Sequence, residues 1–131
     1  MYVKRGIADA PEGICKNAFD GRGSMTVHTL LGEDEGLRDV MTANPGDLDS
    51  GIQFFHIITL EEGGLVGTHP HEDSEEIYYI LEGRARMVVD GEEVIVEKGE
   101  AINTKVGSSH SIESIEGAGN LTFIAIVGDV K

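Results

Sequence analysis

Residues 63–83 read GGLVGTHPHEDSEEIYYILEG, and the reading of this stretch decides the fold. His69 and His71 stand at i and i+2. On a β-strand that spacing sends both imidazoles to the same face. Glu76 follows after four intervening residues, inside a run that reads as the next strand. Downstream, His110 closes the tetrapeptide Gly-Ser-Ser-His. Three imidazoles and one carboxylate gathered on one concave face make a metal site with room left for water or a substrate.

The spacing carries a resemblance. Gly63, His69, His71, Glu76 and Gly83 are similar in type and interval to the first motif of the cupin superfamily. After fifteen further residues, Gly99, Lys105, Gly107, His110 and Ser114 resemble its second motif. Lys105 stands where that family usually has Pro, and Ser114 where it often has Asn. Neither is a ligand position, so these departures bear on loop geometry and not on the metal. The resemblance implies a metal held by His69, His71, Glu76 and His110. It leaves the reaction open, because one fold hosts many chemistries. Of the neighbouring acids Glu72, Asp73 and Glu75, most read as solvated charge, with Glu75 or Glu72 the alternatives to Glu76 as ligand.

Composition points the same way. A chain of 131 residues is one domain and can bury a core. Its 18 glycines and 3 prolines suit an all-β protein with many tight turns. A net charge of −14 argues against nucleic acid, whose phosphates need a basic footprint, and against an anionic membrane surface. No apolar run approaches the roughly 20 residues of a membrane helix, and the first ten residues lack the apolar core of a secretory signal. The single cysteine, Cys15, permits no internal disulfide and fits a cytoplasmic protein.

In chain order, residues 2–5 read as an early extended piece followed by loop. Residues 25–31 alternate as a strand containing His28, which reads as structural. Residues 32–51 are long for a connection and read as a covering loop, with residues 37–41 able to form one helical turn. Residues 52–60 are apolar on both parities and read as a central strand buried on both faces. His56, within it, reads as a hydrogen-bonded core histidine, with a place in the pocket as the alternative. Asp90-Gly91 between apolar runs is the signature of a type I′ hairpin turn. Residues 101–105, 109–112 and 121–127 complete about nine short strands, the pattern of a sandwich or jelly roll. The expectation is an all-β, single-domain, cupin-type jelly-roll barrel. Residues 1–51 supply N-terminal strands and the covering loop of that domain, and residues 52–131 the barrel core with both motifs.

If Glu76 points inward, Tyr78 and Ile80 do too. Tyr78 is then the candidate catalytic residue, orienting a substrate or hydrogen-bonding a ligand, with a packed core tyrosine as the alternative. Gln53, His28 and His56 are the other groups available for proton transfer. Arg84 and Arg86 are candidates for gripping an anion, but a solvated strand face is the preferred reading. Imidazoles with one carboxylate suit manganese, iron, nickel or zinc, and on a six-coordinate ion leave two positions for a bidentate oxygen ligand. The reading is a metal-dependent isomerase or lyase acting on a small sugar, hydroxy acid or keto acid. An Fe(II) dioxygenase and a non-catalytic ligand binder are the alternatives. Exposed β-edges and a long N-terminal segment point to a homodimer in which residues 1–31 take part.

Overall fold

The computed structural model describes residues 1–34 and 43–130. Among these residues, ten strands form two antiparallel sheets. They are β1 (Glu12–Lys16), β2 (Ser24–Gly32), β3 (Ile52–Leu60), β4 (Leu65–Pro70), β5 (Ser74–Glu82), β6 (Arg84–Val89), β7 (Glu92–Glu97), β8 (Ala101–Thr104), β9 (Ser109–Ser114) and β10 (Leu121–Asp129). The larger sheet runs β1-β2-β3-β10-β5-β8 and the smaller β4-β9-β6-β7. This is the expected all-β jelly roll.

Alternation builds the interior. On β5, Glu76, Tyr78 and Ile80 are buried while Ile77 and Tyr79 are exposed, as a pleat with one face on the core requires. Val27, Ile58, Leu60, Met87, Ile112, Leu121 and Phe123 fill the space between the sheets. The β6–β7 connection has φ of 50° at Asp90 and 84° at Gly91, the paired left-handed residues of a type I′ turn.

Two expectations need correction, and the solvated reading of Arg84 and Arg86 holds. Residues 2–5 form no strand; the first strand is β1, paired antiparallel with β2. Its pattern hid it: Gly13 faces inward while Ile14, 58% exposed, faces out, so no amphipathic alternation marks it. β3 is buried on one face only. Phe54, His56, Ile58 and Leu60 are buried, and Phe55, Ile57 and Thr59 are half-buried on the opposite face. Arg84 and Arg86 do not reach the interior; they pair with Glu97, Glu93 and Glu113 on the outside of the smaller sheet. The helical turn expected at residues 37–41 lies outside the described residues.

Candidate metal centre

The four candidate ligands come from both sheets. His69 is on β4, His71 lies one residue past it, His110 is on β9 and Glu76 is on β5. His69 and His110 are cross-strand partners, which sets their rings side by side. One ligand atom from each of the four residues lies within 4.8 Å of the others.

Each imidazole is oriented by an oxygen on its Nδ1 side. His69 Nδ1 donates to the Gly67 carbonyl at 2.7 Å. His110 Nδ1 lies 2.6 Å from Thr104 Oγ1, and His71 Nδ1 3.2 Å from Ser74 Oγ. The Gly67 carbonyl fixes the His69 proton on Nδ1 and bares its Nε2; the Thr104 and Ser74 hydroxyls can accept from His110 and His71 in the same way, so that all three Nε2 atoms can turn lone pairs to a cation at the centre. They meet head on: His110 Nε2 is 3.1 Å from that of His69 and 3.2 Å from that of His71. Glu76 Oε1 stands 3.0 Å from His71 Nε2 and 3.1 Å from His110 Nε2. It is nevertheless buried with no hydrogen-bond partner.

Such a cluster is electrostatically unsatisfied. Lone pairs facing lone pairs and an orphaned buried carboxylate oxygen each carry a penalty. One divalent cation would relieve all of it. Donors on metal bonds of about 2.0–2.2 Å at right angles stand about 3 Å apart, so the observed separations fit. Without a cation, His71 or His110 could satisfy Glu76 by carrying its proton on Nε2, its Nδ1 then accepting from the Ser74 or Thr104 hydroxyl; the Gly67 carbonyl leaves His69 no such choice. Burial works to raise the Glu76 carboxyl, but the imidazoles of His110 and His71 outweigh it and bring it down to about 2. The His69 imidazole is lowered, first by burial, which favours the neutral, ligating form.

Around the cluster lies a cavity of about 300 Å³. Phe19 closes one side by stacking on His69, with centroids 4.1 Å apart and planes 16° from parallel. Its backbone is left-handed, with φ 52° and ψ 46°, between Asn17 and Asp20 in the same region. A side chain pays steric strain in that region. Gly67 makes the approach feasible, since a Cβ there would stand 1.9 Å from the Phe19 carbonyl oxygen.

Tyr78 does face this centre. Its hydroxyl is 3.4 Å from His110 Nε2, and the ring stacks on the His110 ring at 5.1 Å. Burial, and then the charge of Glu76, push its phenol well above the ordinary range. It is a neutral hydrogen-bond donor beside the carboxylate. Glu75 instead accepts from Asn103 at the surface, and Glu72 is exposed. His28 points outward to Glu12, 3.2 Å away. His56 satisfies both alternatives, being a hydrogen-bonded core histidine that also lines the cavity. Asp34, at the start of the long loop, lines the cavity as well and was not singled out by the sequence. Its acidic surroundings gave no signal; only the pairing of β2 with β3 brings it to His56.

A cupin domain matches residues 56–127. The oxalate-binding protein of Thermotoga maritima is 31% identical over 125 residues, covering 95% of this chain and 92% of that protein. A crystal structure of a Thermotoga maritima protein described as a predicted oxalate decarboxylase superposes with a TM-score of 0.78 at 27% identity, covering 98% of this chain and all of that one. KdgF from a Halomonas species shares the fold alone, with a TM-score of 0.62 at 13% identity, covering 82% of this chain and 80% of that one. No helix among the described residues is long and apolar enough to cross a membrane. With the domain matched over more than half its length, and a relative aligned almost end to end, this chain belongs to the cupin family.

Proposed function

We propose that the chain binds one divalent transition metal through His69, His71, Glu76 and His110, and there holds a small acid offering two adjacent oxygens. Oxalate, α-keto acids and α-hydroxy acids form that class. The observation that carries the reading is the convergence of three Nε2 atoms and the buried Glu76 Oε1 on the wall of a cavity. Manganese, iron, nickel or zinc bound there would serve as a Lewis acid toward the ligand's oxygens. The protein's own groups do the rest. Glu76 stays ionised, Thr104 and Ser74 hold two imidazoles in position, and Tyr78 donates a hydrogen bond beside the carboxylate. Met25, Phe54, Ile58, Val66 and Phe123 give the cavity apolar walls. Cys15 lies outside both motifs and packs against the core, so it is not placed as a nucleophile.

The reaction we favour is of the lyase or isomerase type. The relative named for oxalate binding supports the ligand class. Binding without turnover is the second reading, favoured by the phenol of Tyr78, which is held neutral and is a poor base. The test is elemental analysis of protein purified without added metal, then titration of the metal-loaded protein with oxalate while product and oxygen are followed. One equivalent of metal with saturable, metal-dependent oxalate binding supports the proposal. Protein that takes up no metal overturns it. Oxygen consumed stoichiometrically with substrate would replace the lyase reading with a dioxygenase.

We further propose a homodimer built on the outer face of the larger sheet. Ile14, Phe55, Ile57, Ile77, Tyr79 and Ile124 lie exposed or half-buried there, and Tyr2 and Val3 of the N-terminal segment are exposed. Six strands about 4.8 Å apart and up to about 30 Å long present on the order of 700 Å², close to the roughly 800 Å² per partner of a stable interface. Light scattering at micromolar concentration should give twice the chain mass of 14.1 kDa. A monomer mass would refute it.

A further inference from the structure

The cavity runs inward from the candidate metal centre, and its inner end is apolar. On the larger sheet, Val127 of β10 pairs with Glu76, and Phe123 of the same strand pairs with Ile80. The Phe123 level therefore lies about 13 Å along the strands from the Glu76 level, at roughly 3.3 Å per residue. Phe123 and its partner on β3, Ile58, both line the cavity. Met25 lines it too, and pairs with Leu60, further along β3 than Ile58. The smaller sheet runs the same way. His69 pairs with His110, while Val66, another lining residue, pairs with Ile112. A short turn joins the end of β3 to the start of β4, so Ile58 and Val66 lie toward the same end of the barrel. Met25, Ile58, Val66 and Phe123, all buried, wall that end. His56 and Tyr78 line the cavity midway between the two levels, both in register with Ala125.

Size and polarity together decide which acid such a space suits. A cavity of about 300 Å³ equals the liquid volume of about ten waters. Oxalate is two joined carboxylates, taken up by the metal over its whole length, and it leaves the inner end to water. Water there faces four apolar side chains and finds few hydrogen-bond partners. An aliphatic substituent would displace that water and bury its own surface, which tightens binding by about fourfold per methylene. A few polar groups fixing orientation, with apolar walls beside them, is the general plan of a small-ligand site.

We propose that this inner chamber takes the aliphatic side chain of the acid whose two oxygens lie on the metal. The preferred ligand is then an α-keto or α-hydroxy acid with a side chain of a few carbons, rather than oxalate or pyruvate. This rests on the metal centre proposed above.

The test is a series of α-keto acids with one head group and a growing side chain: pyruvate, α-ketobutyrate, α-ketovalerate and α-ketoisocaproate. Oxalate is the reference probe for the metal. Calorimetry on the Mn(II)-loaded protein should show affinity rising along the series, with α-ketoisocaproate at least about tenfold tighter than pyruvate. Val66→Thr keeps the shape of the wall and adds a hydroxyl to it, and should lower that preference at least about threefold. Independently of any variant, nuclear Overhauser contacts in the Zn(II)-loaded wild type should join the methyls of α-ketoisocaproate to those of Met25 and Ile58. With oxalate binding intact, affinities flat along the series, a preference that survives Val66→Thr, or absence of those contacts overturns this inference alone. Wild type that binds neither metal nor oxalate overturns the proposed function, and this inference falls with it.

Discussion

Two buried histidine clusters face the same cavity and are built on opposite principles. At the candidate metal centre, Nε2 atoms face each other at 3.1 and 3.2 Å beside the buried Glu76 Oε1. At the other pole, both nitrogens of His56 have a partner, Thr29 on one side and Asp34 on the other. The first cluster converges four possible ligand atoms on one point, which a cation would fill. The second is complete within the protein and contributes to the fold whether or not a ligand is present. Burial does not separate them, since His56 and His110 are equally hidden. The difference lies in where the protons can go.

The comparison breaks most sharply on metal binding. His71→Ala should lower metal affinity by more than about 100-fold, and with it the roughly 2.7 kcal/mol of stabilisation expected at a metal concentration 100 times Kd. His56→Gln should leave metal affinity within about threefold. Competition against a chromophoric chelator measures both. A full equivalent of tightly bound metal in the His71→Ala protein would remove the distinction.

Stability of the apoprotein should show the reverse. His56→Leu removes one hydrogen-bond partner from Thr29 and one from Asp34 and should cost about 2 kcal/mol, read by urea unfolding. His71→Ala, which removes one of the opposed lone pairs, should cost less in the same assay. If the two costs are equal, the contrast between a satisfied and an unsatisfied cluster is wrong.

The gentlest effect is on pH. The folded His69 imidazole lies below its free value of 6.5, so the unfolded chain takes up that proton first. Its contribution to apoprotein stability is complete above pH 6.5 and declines as pH falls through that value. Glu76, displaced from 4.5 to about 2, adds stability above pH 4.5 that is lost as pH falls toward 2. Both act in the same direction, so apoprotein midpoints should fall steadily with acid. Bound metal should hold the midpoint flat until protons compete for the imidazoles. A midpoint of the apoprotein that rises between pH 7 and 5 would contradict the burial of a neutral His69.

Much of the candidate metal centre was legible in the sequence because its determinants are local. The interval between His69 and His71, the inward parity of Glu76, Tyr78 and Ile80 on β5, and the Asp90-Gly91 turn depend on the period of an extended chain and the φ that a turn requires. His110 was found through a second motif at familiar spacing, and the β4–β9 ladder explains why it lies beside His69. The rest needed the folded chain. β3 is apolar on both parities, so its residues do not say which face is inside, and His56 stayed ambiguous until its register with Thr29 and Ala125 placed it on the inner face. Arg84 and Arg86 share a parity, but parity cannot tell core from solvent on a strand whose neighbours are unknown; pairing with β7 and β9 turned them outward to glutamates. β1 and Asp34 carry no pattern of their own, and each owes its place to the ladder that β2 makes, β1 by pairing with it and Asp34 by leaving it just where β3 brings His56. Local periodicity determined which residues share a face, and long-range strand pairing alone decided which faces meet.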